Sequence, residues 1–365
     1  MIPEKRLYVA ATSQNDGKTT VCLGLIEAFR ELKKDVAFIK PVGQRYLEVE
    51  GFHIDEDSWL IRQACGMKCK PKHMSPITVE RGFTKRFLDH ADGMLPLLEQ
   101  GIRTSFDIAA RDKEVVVIEG TGHAGVGSTF GLCNADVARL LGAKVIMVVT
   151  GGIGRPLDEV ALNRALFREK GVPLVGVIVN KVLPEKLEEV RHYLSRGLAW
   201  LGLELRGIIP YVPRLTWPTV RQIMDELHYG LVCGEARLDD AASSVLVGAM
   251  SVHNALRYLH KGALVITPSD REDFLCAVVT AGTLSPRMAA AGIVLTGGIT
   301  LRSPALGIIR RAGIPVLVSR DHTYKVASDV HQMVIKIRHT DVEKVLLARE
   351  LVRKYVDVGA VWKSL

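Results

Sequence analysis

The sequence predicts an α/β protein: a domain with a mostly parallel sheet and helices on both faces, followed by a smaller α/β domain. Three observations carry this reading. Short β-branched runs alternate with longer stretches of helical period along most of the 365 residues. The apolar run "RLYVAAT" leads through "SQNDGKTT" straight into a helical pattern. Pro210, Pro213 and Pro218 then interrupt the alternation within nine residues before it resumes.

The elements follow in order. "RLYVAAT" is a strand, residues 19–32 have helical period, and "VAFIKPV" is the next strand, which together make a βαβ unit. "EVVVIEG" (114–120), "AKVIMVVTGG" (143–152), "LVGVIVNKV" (174–182) and "LRGIIPYV" (205–212) are continuous apolar runs, the mark of strands covered on both faces. The proline cluster closes a first domain over 1–214. "YGLVCG", "GALVITPSD", "AGIVLTGG" and "IPVLVS", each followed by a helical stretch, build a second over 215–338. Residues 339–365 read as a separate C-terminal helix. Thr340 and Glu343 have the spacing of a capping box, and Val342, Val345, Leu346, Val352 and Val356 share a face that serves packing or a partner.

Composition narrows the function classes. A chain that is 48% hydrophobic and 24% charged is not disordered. No apolar stretch has signal-peptide or membrane-spanning length, so a cytoplasmic protein without a membrane role is expected. The net charge of +8 comes from basic residues interleaved with acids, without a basic tail, which argues against a nucleic-acid partner. Of the six cysteines, Cys65 and Cys69 alone are close, and they lack the spacing and the second pair of a zinc site. Reduced cysteines used as small apolar residues suit a reducing compartment.

The chemistry concentrates near the amino terminus. Residues Thr12 to Thr19 match G-x-x-x-x-G-K-[ST] with threonine at the first position. In such a loop backbone N–H groups cradle phosphates, the lysine reaches the β/γ oxygens and the hydroxyl holds magnesium. Lys18 and Thr19 take the last two roles; Ser13, Gln14, Asn15, Asp16, Gly17 and Thr20 complete the nucleotide-binding set, with ATP and Mg2+ as ligands. A Gly-Lys-Thr can also merely start a helix, but the strand before it and the helix after it favour the phosphate reading. Glu119 ends an apolar strand and brings a carboxylate to the carboxyl edge of the sheet, for magnesium or for solvent. Asp55, Glu56 and Asp57 stand at a helix start, where the dipole attracts acids in any case. Lys40 closes the second strand, facing either the same crevice or solvent.

Together these residues resemble the dethiobiotin synthetase group of phosphate-loop enzymes, whose loop also carries threonine at the first position. The resemblance covers about the first 214 residues. It implies Lys18 and Thr19 on the phosphates and magnesium, Asp57 and Glu119 as further magnesium ligands, Lys40 near the transferred phosphoryl group and Asn180, in "VIVNKV", at the adenine. Lys18, Lys40 and Glu119 would then be the catalytic set. A partition-type ATPase would carry a second lysine early in the loop, where Ser13 and Gln14 stand.

Still closer is the amino-terminal regulatory part of the long bacterial phosphate acetyltransferases, which looks like that synthetase fold followed by a DRTGG domain. "IEGTGHAGVGS" and "NADVARLLGAKVIMVVTGGIGRPLDEV" carry the likeness, as do Asp270-Arg271 in "TPSDRED" and Thr296-Gly297-Gly298 in "IVLTGG". The last two motifs mark a second-domain ligand site or plain turns that close strands. The acetyl-transferring domain of those enzymes has no counterpart in these residues, so acetyl phosphate synthesis by this chain alone is not expected. Asn15 replaces an acid of the synthetase loop and "EGTGH" its glycine-rich turn, which argues against diamino-acid carboxylation. The resemblance implies an ATP- and magnesium-binding regulatory protein, homo-oligomeric, with weak ATPase activity at most. It would act through its second domain on a metabolic enzyme or in response to a small-molecule effector. The alternative is an ATP-dependent carboligase acting on a small amine or carboxylate.

Overall fold

Strands with apolar side chains on both faces build the first unit. The computed structural model describes residues 3–298 and 304–365. In chain order it contains β1 (Lys5–Ala11), α1 (Lys18–Glu31), β2 (Val36–Ile39), α2 (Glu56–Ala64), α3 (Ala91–Ala110), β3 (Val115–His123), α4 (Asn134–Leu140), β4 (Lys144–Thr150), α5 (Gly154–Glu169), β5 (Leu174–Val182), α6 (Leu187–Trp200) and β6 (Leu205–Pro210). The six strands form one parallel sheet in the order β6-β5-β4-β1-β3-β2. Along β1, Tyr8 and Ala10 join a core with Phe106, Val137 and Phe167 from α3, α4 and α5. Leu7 and Val9 are equally buried and, by strand alternation, point to the opposite face, where α1 packs. The order reverses at β1, so the carboxyl ends of β1 and β3 flank a crevice at the switch point. The loop after β1 opens there.

Two small additions had no sequence signal. Tyr46–Val49 and Phe52–Asp55 form an antiparallel hairpin, and Val42–Gly43 pairs with Ile77–Thr78.

The second unit, Pro213–Lys336, holds α7 (Val220–Leu227), β7 (Gly230–Cys233), β8 (Ser244–Val247), β9 (Ala263–Pro268), α8 (Glu272–Leu284), β10 (Gly292–Thr296), α9 (Pro304–Ala312), β11 (Val316–Val318) and α10 (Thr323–Gln332). Its sheet runs β7-β11-β10-β9-β8, parallel except for β7. Val265 and Ile293 pack with Phe274 and Val278 of α8 on one side, while Leu264 and Val294 meet Ile223 of α7 and Val326 of α10 on the other. The expectation that every strand is followed by a helix fails at β7, which leads into a 3-10 turn, Glu235–Arg237, and then into β8. Four residues are too few to show a period.

Beyond Lys336 the chain rejoins the first unit, which comprises Met1–Val212 and Ile337–Leu365. α11 (Val342–Tyr355) and α12 (Val358–Ser364) pack on α1. A Cβ added to Gly24 of α1 would stand 2.2 Å from Cβ of Val352, so this helix crossing requires glycine. Trp362 meets Phe29 edge-on, with the Lys5 ammonium 4.8 Å from its ring centre. The segment read as a separate helix is therefore part of the first unit. Its buried face is Val345, Ala348, Leu351, Val352 and Val356; Val342 and Leu346, expected there, are 62% and 55% exposed. The helix also starts one residue later than a Thr340–Glu343 box requires, with Asp341 as its N-cap. Among the described residues no helix is long and apolar enough to cross a membrane.

Candidate nucleotide site

The loop between Ala11 and Lys18 is held by its own side chains. Thr12 is not in the left-handed region, so its backbone does not call for glycine. Its buried hydroxyl lies 2.9 Å from Asp16 Oδ2 and 3.1 Å from Glu159 Oε2, and the Ser13 N–H donates to the same Asp16 oxygen at 2.6 Å. Burial pushes the Asp16 carboxyl above its usual range, partly offset by those two hydrogen bonds. Gly17 caps α1 at φ 102°, and neither a capping side chain nor a first-turn acid satisfies the helix start. That leaves N–H groups and the positive end of the dipole for an anion.

β5 braces the loop from the side. Asn180 Nδ2 donates to the Asp16 carbonyl at 2.8 Å, its Oδ1 accepts from Lys181 N at 2.9 Å, and Lys181 Nζ donates to the Asn15 carbonyl at 2.7 Å. A Cβ on Gly17 would lie 2.1 Å from Asn180 Nδ2.

Beneath the loop lies a buried charge cluster. Lys18 Nζ donates to the Gly122 carbonyl at 3.0 Å; burial pulls its pKa down and Glu119 works against that. Thr19 Oγ1 donates to Glu119 Oε1 at 3.0 Å. Lys40 Nζ sits 3.0 Å from Asp55 Oδ1 and 3.5 Å from Glu119 Oε1, and it contacts Asp57 Oδ2. Burial opposes the Lys40 charge, yet Asp55, Asp57 and Glu119 together hold its pKa well above the ordinary value. Burial pushes Glu119 up to about 7, with Lys40 pulling the other way. Asp55 Oδ2 and Glu119 Oε2 are buried without a hydrogen-bond partner. The orphaned Glu119 oxygen, on a carboxylate bonded to the Thr19 hydroxyl, fits a divalent cation. Among the described residues no three His, Cys, Asp or Glu side chains form a metal cage by themselves. Magnesium does not need one, since it takes one or two carboxylates and fills its octahedron with phosphate oxygens and water.

The structure thus brings Lys18, Thr19, Lys40, Asp57 and Glu119 together, with Ser13, Asn15, Asp16, Gly17 and Asn180 in or against the loop. Gln14 is exposed at its tip and Thr20 is half-buried in the first turn of α1. Of the three acids at the start of α2, Glu56 faces outward to Arg45, and Asp55 caps the helix by accepting from Asp57 N at 2.9 Å. Sequence reasoning missed that Asp55 also holds Lys40. It also missed Asn134, whose Oδ1 accepts from Tyr8 Oη (2.7 Å) and Thr121 N (2.8 Å) while Nδ2 donates to the Thr121 carbonyl (2.8 Å). This network fixes the last residues of β3, where "EGTGH" continues the strand instead of turning after Glu119; the position of Asn134 at the start of a helix was its available signal.

In the second unit Asp270-Arg271 follows β9, and Thr296 ends β10 with Gly297-Gly298 after it; Pro268 and Thr296 are paired in register. Arg271 binds Asp273 at 2.9 Å and the Gly248 carbonyl at 3.3 Å. Thr296 Oγ1 is 2.8 Å from Thr323 Oγ1, and the N–H groups of Gly297 and Gly298 donate to the carbonyls of Asp321 and Ser319. The two motifs lie side by side at one sheet edge, and these glycine N–H groups close turns.

The sheet order, the strand–loop–helix and the lysine and threonine at the start of α1 define a P-loop nucleotide-binding fold joined to a second α/β unit. The chain belongs to the AAA domain family, whose model matches residues 5–219, and the DRTGG domain model matches residues 222–333. It is 27% identical over 368 residues to a phosphate acetyltransferase of Nitratidesulfovibrio vulgaris and 28% identical over 372 residues to one of Pseudomonas putida. Those alignments cover 96% and 97% of this chain but 50% and 51% of the relatives. The chain therefore spans about half the length of the curated relatives it matches. Among solved structures, the Aquifex aeolicus MinC:MinD cell division protein complex is similar over 58% of this chain and 83% of that one, at 16% identity and a TM-score of 0.36. The CBS and DRTGG domains of the Clostridium perfringens pyrophosphatase regulatory region, complexed with the activator diadenosine tetraphosphate, are similar over 29% and 43%, at 18% identity and a TM-score of 0.25.

Proposed function

We propose that this chain is a nucleotide-sensing regulatory protein. Mg-ATP occupies the crevice, with Lys18 on the β/γ-phosphate oxygens, Thr19, Asp57 and Glu119 around magnesium, and Asn180 near the adenine. The bound nucleotide biases the DRTGG domain and, through it, a partner enzyme or the response to a small-molecule effector, in a homo-oligomer. The likeness to phosphate acetyltransferases makes acetyl transfer to phosphate the reaction whose regulation suits it. The supporting observation is the orphaned Glu119 Oε2, on the carboxylate that accepts from Thr19 Oγ1, at a helix start that no side chain caps. Bound magnesium would supply the charge neutralisation that a polyphosphate requires.

The chain's own residues do the positioning. Lys18 reaches across the loop, Asn180 keeps the loop's backbone in place, and Lys40 is held charged beside the acids. Calorimetric titration of ATP with and without Mg2+ tests the reading: affinity falls at least tenfold without Mg2+ and is lost in Lys18→Ala. Unchanged affinity in Lys18→Ala would sink it.

Lys40 also supports a second reading, because a buried cation beside the phosphates can hold an attacking oxyanion in line. ADP release that depends on an added amine and bicarbonate would replace sensing with carboxylation.

A further inference from the structure

A second cavity, of about 310 Å³, lies against the outer edge of β2 and is lined by Arg30, Lys34, Lys68 and Lys113, with Asp35 as the acid in the lining. Arg30 is in the last turns of α1, whose first residue is Lys18. A helix of 14 residues is about 20 Å long, so this cavity is separate from the nucleotide site. Two of the cations are already engaged: Arg30 donates to the Cys65 carbonyl at 2.6 Å and Lys34 pairs with Glu114 at 2.9 Å. The ammonium groups of Lys68 and Lys113 have no hydrogen-bond or ion-pair partner among the described residues.

The floor belongs to an edge strand and combines the apolar side chains of Val36, Ala37 and Phe38 with that strand's outer main-chain groups. The Asp35 carbonyl accepts from Val115 of β3, whereas Lys40 N turns outward to the Met74 carbonyl. Strand alternation therefore puts the main-chain polar groups of Val36 and Phe38 on the cavity side. The carboxyl ends of α1 and α3 favour cations nearby through their dipoles. That preference explains surface lysines; it does not explain a concave space that joins apolar side chains to an excess of positive charge. We propose that this cavity binds a small organic dianion, a phosphomonoester or a dicarboxylate with an apolar part. The ligand's charge meets Lys68 and Lys113, and its apolar part rests on the strand and on Ala109.

The test is calorimetric titration of the full chain with phenyl phosphate and, separately, phenylsuccinate. Saturable binding of at least one is expected. Lys68→Glu with Lys113→Glu weakens it at least tenfold, and Lys68→Gln with Lys113→Gln weakens it to a smaller degree, while Lys18→Ala leaves it unchanged. The first probe binding alone assigns a phosphomonoester, the second alone a dicarboxylate. The proposal is overturned if neither probe saturates, if the double variants bind as tightly as the natural chain, or if Lys18→Ala alone removes the binding.

Discussion

The Thr12 hydroxyl stands 2.9 Å from Asp16 Oδ2, at the position where a phosphate loop ordinarily carries glycine. The threonine ties the loop's first residue to its fifth. Thr12→Val removes the donor and keeps the shape, leaving a buried carboxylate with one fewer hydrogen bond. Stability should fall by about 1–3 kcal/mol, the cost of an unmet buried bond to a charged group. Urea denaturation measures it; no change would mean the staple carries no weight.

Gly17 should tolerate no side chain. At φ 102°, with Asn180 Nδ2 only 2.1 Å from where a Cβ would stand, Gly17→Ala strains the backbone and pushes Asn180 off the Asp16 carbonyl. Nucleotide affinity should drop more than tenfold while the fold persists, checked by titration alongside circular dichroism.

Lys40 is the cation that makes three buried carboxylates tolerable. Lys40→Met should destabilise the protein by about 3–5 kcal/mol, the usual penalty for breaking a buried ion pair from one side. Millimolar Mg2+ should restore part of the loss in thermal unfolding, since the unmatched acids then bind the ion more tightly. Because the folded pKa of Lys40 is raised, its contribution is complete below the ordinary lysine value and is lost only as pH climbs through the folded one. Glu119, already pushed up to about 7 with Lys40 pulling the other way, rises further in the variant, so the difference between natural chain and variant should widen as pH climbs above about 7.

Gly24 and Val352 should behave as a coupled pair. Alanine is worth about 1 kcal/mol over glycine in a helix interior, yet here its methyl would overlap Val352 at 2.2 Å. Gly24→Ala alone should be destabilising by about 1–3 kcal/mol. Combined with Val352→Ala, most of that loss should return, which a double-mutant cycle in urea would read. Additive effects would contradict the close crossing.

The strands that run continuously apolar, β3, β4 and β5, were legible because both faces are buried and no polar alternation is needed. So was the placement of Lys18 and Thr19, since the loop, its strand and its helix are contiguous. Glu119 was expected to end its strand, whereas β3 runs on to His123; its contact with Thr19 spans a hundred positions and leaves no local trace. Lys40 could be read as crevice or solvent because a strand-end lysine looks the same in both; the hairpin that brings Asp55 over it decides, and its short strands have no period. The C-terminal face was misjudged for the same reason. A helix periodicity says that some stripe is apolar, and only the partner, here α1, selects which stripe is covered.

The path of the chain through α11 and α12 has a consequence for synthesis. The helix that bears Lys18 is covered by residues made only after the whole DRTGG unit. Amino-terminal domains commonly fold first as they emerge, but this one has to wait with the apolar flank of α1 unclad. Any shortened gene that stops at the family boundary near residue 219 would make that interim state permanent.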